Sequence, residues 1–539
     1  MSTDLKGKRA LVVDDFANMR TTLKHMLEAI GITAIDAASN GREAIRRIES
    51  GDYDLILCDY NLGEGKDGQQ VLEEAKHRGL LRHSTVFVMI TAENTMSMVM
   101  GAMEYRPDDY LAKPFTKDLL RKRLERQVAR KADFEEIEAT VARRDYARAI
   151  ALCDQRIEAG PKNVNEFLKL KGDLCLTTGD LDAAEAVYQR VLEQRRLPWA
   201  LVGLGRVRYE RGELEAARDT FRETIDEHHA FMEAHDWLAR TLARLGDTQG
   251  AQQVLSEAVA ISPKAILRQR ELGEIARRND DAETAEGAYR RAVSLGAESV
   301  FRSPNDYAGL AKSQTANGAS PLEITKTLNG MRQEFKGEPE ANLGAALAES
   351  AVYREMGRED EAGKAYREAA RLYEDVADRA PAETVLEMAR ETLALGDPEE
   401  GKALMEQLVR NNHDNDDLLR QAQGVFNEVG MADEGERVIL ASKEEVRKQN
   451  NAGVDLVRKG RLDEAVELFD GAVSALPFNA TINLNAAQAH LMRMKQTGGD
   501  PAGLKRARQY LERVRETDPD NGNLHRLWGV FQQLAGDHA

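Results

Sequence analysis

Cysteine, positive charge, aromatic rings and long apolar runs are all scarce in this chain, and each scarcity excludes something. Three cysteines, Cys58, Cys153 and Cys175, are odd in number and too far apart for a disulfide framework or a zinc site. They read instead as small buried hydrophobes. No apolar stretch approaches the roughly 20 residues of a membrane span, and the start MSTDLKGKRA lacks the apolar core of a secretion signal. A cytoplasmic protein without membrane insertion is expected. With 75 Lys and Arg against 92 Asp and Glu the net charge is −17, which is contrary to the concentrated positive surface that nucleic-acid backbones require. Aromatics supply only 5% of residues while Ala and Leu recur throughout, a balance that favours helix.

What is present suffices for ordinary cores: 42% of the 539 residues are hydrophobic. That length implies roughly three to five domains, or one domain and a repeat array. Over the first 130 residues, short apolar runs alternate with helical periodicity: RALVVDD (9–15) before Met19 to Ile30, ITAIDAA (32–38) before 41–49, LILCDY (55–60) before 69–78, TVFVMIT (85–91) before 94–103, and DYLA (109–112) before 116 onward. Strands joined by short crossover helices must run parallel, so an α/β doubly wound five-stranded parallel sheet is expected. Ligands of such sheets sit outside the carboxyl ends of the strands.

The polar residues fall at those ends. Asp14 and Asp15 close the first run, Asp59 the third and Thr91 the fourth, and Lys113 follows the fifth. Three converging carboxylates repel one another, and a hard divalent cation relieves them. A hydroxyl and an ammonium suit a phosphoryl group carried by Asp59 better than a bare metal site.

Taken together, Asp14-Asp15, Asp59, Thr91-Ala92 and Lys113-Pro114-Phe115 in this order make residues 1–125 resemble a response-regulator receiver domain of the chemotaxis type. The resemblance implies that Asp59 accepts a phosphoryl group from a histidine kinase or phosphotransfer protein. It implies that Mg²⁺ is held by Asp15, Asp59 and the backbone carbonyl of Asn61, with Asp14 acting through metal-bound water. Lys113 and Thr91 would bind the phosphoryl oxygens, Thr91 and Tyr110 would move as the switch, and Asn61 and Glu93 would set the phosphate lifetime. One departure stands out: in NLGEGKDG (61–68) Gly63 replaces the family's proline, which allows another backbone path near the metal. Met96, Val99, Met100 and Met103 form a stripe, with Met98 off it, that reads either as core or, where exposed, as a contact surface.

Beyond residue 130 the period changes. Gly246, Ala251, Leu255, Ala258 and Pro263 mark one two-helix unit, and similar sets recur through Gly179/Ala184/Tyr188, Gly212/Ala217/Phe221, Asp280/Ala285/Tyr289, Gly357/Ala362/Tyr366 and Gly460/Ala465/Phe469. A repeat of about 34 residues with these small and large positions resembles an all-α tetratricopeptide superhelix, here of about eleven units. Its expected parts are an N-terminal sub-array (130–300), an irregular stretch (301–342) serving as a hinge or a harmless insertion, a C-terminal sub-array (343–521) and a capping helix (522–539). Lys169, Arg206, Arg240 and Arg270 fall on inward positions, alternating with Asp173, Asp236 and Glu274. They would serve an acidic or mixed-charge peptide, or simply be solvated.

Between the two parts, 116–145 contains no flexible linker, and its apolar spacing predicts a nearly continuous helix. Its basic face, Arg121, Lys122, Arg126 and Arg130, would serve receiver pairing into a homodimer or be solvated. No catalytic constellation follows residue 130, so an enzymatic output is not expected. The expected function is a phosphorylation-controlled adaptor for an unknown protein; the alternatives are a constitutive scaffold or a phosphate sink.

Overall fold

The computed structural model describes residues 5–92, 107–377, 379–498, 500–518 and 521–536. Glu93, the helix expected at 94–103 and the methionine stripe lie outside these. Five parallel strands, β1 (Arg9–Val13), β2 (Ala34–Ala38), β3 (Leu55–Asp59), β4 (Val86–Thr91) and β5 (Asp109–Ala112), form one sheet in the order β2-β1-β3-β4-β5. Around it lie helices α1 (Ala17–Ala29), α2 (Gly41–Ser50), α3 (Gly68–His77) and α4 (Lys117–Ala142).

Period-two alternation explains the two covered faces. Ala10, Val12, Leu55, Leu57, Val88 and Ile90 point toward Leu23 and Leu27 of α1 and Leu120 and Leu124 of α4. Their neighbours Leu11, Val13, Ile56, Cys58, Phe87 and Met89 point toward Ile45 of α2 and Val71 and Leu72 of α3. Every residue of β3 and β4 is buried, as continuous apolar runs require.

Helix α4 runs unbroken for 26 residues from the sheet into the array. Helix pairs then follow in series, including Val164–Thr177 with Leu181–Gln194, Pro198–Glu210 with Leu214–Glu227, and Ile266–Arg278 with Ala282–Gly296. The aromatic of each second helix fills a slot opened by glycines. The Tyr188 ring is so placed that a Cβ on Gly172 or Gly203 would lie 2.6 or 2.4 Å from it, and Tyr289 stands likewise between Gly273 and Gly309, at 2.8 and 2.4 Å. Tyr188 and Phe221 are fully buried. The glycine turns of the repeats are left-handed, with φ of 75° at Gly179, 79° at Gly212 and 86° at Gly246, and Asp280 takes the same conformation at 57° without being glycine.

Between residues 297 and 334 the breakers have another meaning. Pro304–Ala316 and Pro321–Glu334 are regular helices. Ser320 accepts a hydrogen bond from the Glu323 amide and Pro321 opens the helix, so within the stretch expected to be irregular these residues are helix start signals. Within the C-terminal part, Ala432–Arg458 is a single 27-residue helix. Near the C-terminal end, the helix Gly522–Gly536 buries Leu524, Leu527 and Trp528 against Leu511 and Val514.

By contacts the chain divides into two compact units, residues 1–172 with 182–313, and residues 173–181 with 314–539. Among the described residues, no helix is long and apolar enough to cross a membrane.

Candidate functional site

The carboxyl ends of β1 and β3 bring Asp14, Asp15 and Asp59 together, each with a carboxylate oxygen within 4.8 Å of the others. The sheet register makes this meeting, since Val13 pairs with Cys58 and each strand ends on the same edge. Asp14 is fully buried and Asp59 is 7% exposed. The Lys113 ammonium lies 2.9 Å from Asp14 Oδ2 and 3.2 Å from Asp59 Oδ1. Burial pushes the Asp59 carboxyl up to about 6; Lys113 opposes the rise, and the Asp14 and Asp15 charges add to it. Burial also disfavours the Lys113 ammonium, but its hydrogen bond to Asp14 and the Asp59 charge leave it above its ordinary value.

Local structure fixes the acids. The Phe16 amide donates to Asp14 Oδ1 at 2.9 Å, and the Arg20 guanidinium donates to the carbonyls of Asp14 and Asp15 at 2.7 and 3.0 Å. The Tyr60 amide donates to Asp59 Oδ1 at 3.1 Å. Behind Asp59, Gly68 approaches so closely that an added Cβ would lie 2.1 Å from the Asp59 carbonyl oxygen. Gly63 has a φ of +75°, which proline cannot adopt, so its departure from the usual proline corresponds to a different loop path.

Asp15 Oδ1 is shielded from solvent and accepts no hydrogen bond from the described residues. An orphaned acceptor beside two further carboxylates fits a hard divalent cation such as Mg²⁺, which takes oxygen ligands. Asp14, Asp15 and Asp59 form the acidic cluster typical of such sites. Thr91 ends β4, buried on the same edge, Tyr110 lies half-buried on β5, and Asn61 is exposed in the loop after β3, its Oδ1 accepting from the Gly63 amide at 3.3 Å.

Three contributors escape sequence reading. Arg20 is one of many helix arginines and carries no signal. Asp67 caps α3 in a reciprocal box with Gln70, a pattern legible as Asp followed three residues later by Gln. Asp109 on β5 takes Arg123 at 2.8 Å, Arg126 at 2.9 Å and Gln127 at 3.1 Å, pinning α4 to the sheet. Arg126 therefore faces the receiver's own acid, and Arg130 pairs with Glu166 of the first array helices.

Of the four array cations, Arg206, Arg240 and Arg270 engage other array residues. Arg206 and Arg240 flank the Trp237 ring at 5.2 and 5.3 Å, and Arg240 lies 3.6 Å from Glu271. Arg270 grips Asp306 through two contacts of 2.6 and 2.9 Å, and Asp236 is held by Arg268 at 2.7 and 2.9 Å. Lys169 lies on the helix Val164–Thr177, as Asp173 does.

Comparison with known proteins agrees in both parts. Residues 10–125 match the response regulator receiver domain, residues 134–197, 202–266 and 450–498 match one tetratricopeptide repeat model, and 347–376 match another. Chemotaxis protein CheY-3 of Vibrio cholerae is 31% identical over 121 residues, which is 22% of this chain and 92% of that protein. Chemotaxis protein CheY of Pseudomonas aeruginosa is 31% identical over 118 residues, 22% of this chain and 94% of that protein. Among solved structures, the response regulator TrrA of Thermotoga maritima, in complex with Mg²⁺ and beryllofluoride, is 31% identical, with a TM-score of 0.20 over 22% of this chain and 98% of that one.

Proposed function

Because the chain belongs to the response-regulator family, a receiver domain followed by tetratricopeptide repeats, we propose that it takes a phosphoryl group onto Asp59 from a histidine kinase or phosphotransfer protein and answers by changing what its array binds. The observation that carries this reading is the convergence of Asp14, Asp15, Asp59 and Lys113 on one strand edge.

In the transfer an Asp59 oxygen forms a bond to phosphorus as the donor's bond to phosphorus breaks, and the donor nitrogen leaves with the electron pair. Later attack by water returns the carboxylate and inorganic phosphate. Asp14, Asp15, Asp59 and the Asn61 carbonyl would hold Mg²⁺, which when bound offsets charge on the phosphoryl oxygens. Lys113, already shared between Asp14 and Asp59, follows the charge as it moves onto the phosphoryl group. Thr91 supplies a hydroxyl to a phosphoryl oxygen, and Tyr110 on the neighbouring strand moves with it. Asn61 and Glu93 set how fast water removes the group.

The array supplies protein recognition, and no catalytic output domain is identified. Incubation with acetyl phosphate and Mg²⁺ followed by intact-mass measurement tests the first half: one phosphoryl group is expected on the wild type and none on Asp59→Asn. Partner capture by the beryllofluoride-loaded and unloaded protein tests the second half. Equal capture in both states would replace the adaptor with a constitutive scaffold, and loss of capture altogether would leave a phosphate sink.

A further inference from the structure

Helix α4 is not the receiver's only meeting with the array. The turn between the helices Ala282–Gly296 and Pro304–Ala316 lies against the α2–α3 edge of the receiver, inside one compact unit. Arg42 stands 2.6 Å from Glu298, and Gln70 donates to the Leu295 carbonyl at 3.4 Å. Lys66 donates to the Glu298 carbonyl. At the centre the Ser299 hydroxyl donates to Glu73, and both residues are buried. His77 sets its edge on the Phe301 ring at 5.5 Å. In the preceding turn of the array, Lys264 pairs with Asp67 at 3.1 Å and stands 4.7 Å above the Tyr60 ring. From the array side, Arg270 braces the same turn, donating to the Phe301 carbonyl at 2.7 Å while it holds Asp306.

The gripped receiver residues are those that answer to Asp59. Tyr60 follows it directly, with its amide on Asp59 Oδ1 at 3.1 Å, and the Gly68 amide returns to the Tyr60 carbonyl at 2.8 Å. The loop between them has no slack, because Gly68 already touches the Asp59 backbone. The Tyr60 amide is shared between the Ile90 carbonyl at 2.7 Å and Asp59 Oδ1 at 3.1 Å, and a ligand on the Asp59 carboxylate competes for the second of these acceptors. The displacement passes to Tyr60 and Asp67, where Lys264 is seated. The docked surface is largely polar, with partly exposed ion pairs that are individually weak, so a modest change can release it.

We infer that Lys264 and the Ala297–Ser303 turn form a docking site for the receiver's own α2–α3 edge, and that loading Asp59 undocks it. This rests on Asp59 being the phosphoacceptor. Hydrogen exchange on the full chain, with Mg²⁺ alone and with Mg²⁺ plus beryllofluoride, tests it, while fluorine NMR reports beryllofluoride binding. Exchange across 295–303 is expected to rise at least about fivefold on loading in the wild type and to stay unchanged in Asp59→Asn. Lys264→Glu is expected to raise it without loading and, by reciprocity, to tighten beryllofluoride binding by a similar factor. Unchanged or slower exchange with beryllofluoride bound would overturn the undocking and leave the phosphoacceptor standing. Failure to bind beryllofluoride would overturn both. Unaltered exchange in Lys264→Glu would remove the docking site itself.

Discussion

The receiver's pocket and the array helices both gather charge, yet they treat it in opposite ways. In the pocket, three carboxylates and one lysine converge, and among the described residues a buried Asp15 oxygen has no partner. Along the array, Arg268 and Arg270 each close a bidentate pair with an aspartate, and Arg206 and Arg240 flank Trp237. Convergent like charge is costly unless a ligand completes it, so it marks chemistry. Alternating charge pairs off within the fold and marks architecture.

The comparison can be broken most severely at Lys113. Lys113→Ala should slow phosphoryl uptake from acetyl phosphate by about a hundredfold or more, as loss of one preorganised charge at a transferring group does; single-turnover kinetics followed by intact mass would read it. An unchanged rate would place the pocket with the architectural charges. On the array side the sensitive positions are apolar: Gly203→Ala drives a Cβ to 2.4 Å from the Tyr188 ring, and urea unfolding should show a loss of about 2–3 kcal/mol.

The third test exploits the strained acid. The folded pKa of Asp59 is raised to about 6 from 3.8, so the native state binds its proton more readily than the unfolded state. The ionised form therefore costs stability, absent below pH 3.8 and complete above about pH 6. Without metal, Asp59→Asn should be more stable than the wild type by about 2 kcal/mol at pH 7.5, and the gap should close as pH falls through 6 toward 4. Thermal unfolding across that range checks the sign. The smallest effect is expected at Asp280, exposed and left-handed at φ 57°. Asp280→Gly should stabilise the chain by about 1 kcal/mol, because the side chain alone strains that turn.

Legibility in the sequence followed locality. Strand and helix periods placed β1, β3, β4 and β5 within a few residues, and the residues at their ends placed the acidic pocket, since a parallel sheet brings its carboxyl ends to one edge. Tyr188, Phe221 and Tyr289 were legible as the large residues of each repeat, but their seats on Gly172, Gly203, Gly205, Gly273 and Gly309 were not. A glycine inside a helix looks like a weak spot until the aromatic that needs its missing Cβ is known. The prolines and serines near 301–323 are ambiguous for a related reason, because one residue type both ends and starts helices.

By itself the sequence determined the two architectures, the acids and lysine that meet in the pocket, and the uninterrupted apolar spacing of α4, because these depend on periods and on which residues end which strands. The tertiary structure alone decided that Arg270 serves Asp306 and Phe301, that Asp109 anchors α4, and that Lys264 and Ser299 meet receiver residues 197 and 226 positions away. Such pairings depend on how stacked helices curve and bring distant turns together, and no local pattern in the chain encodes that distance.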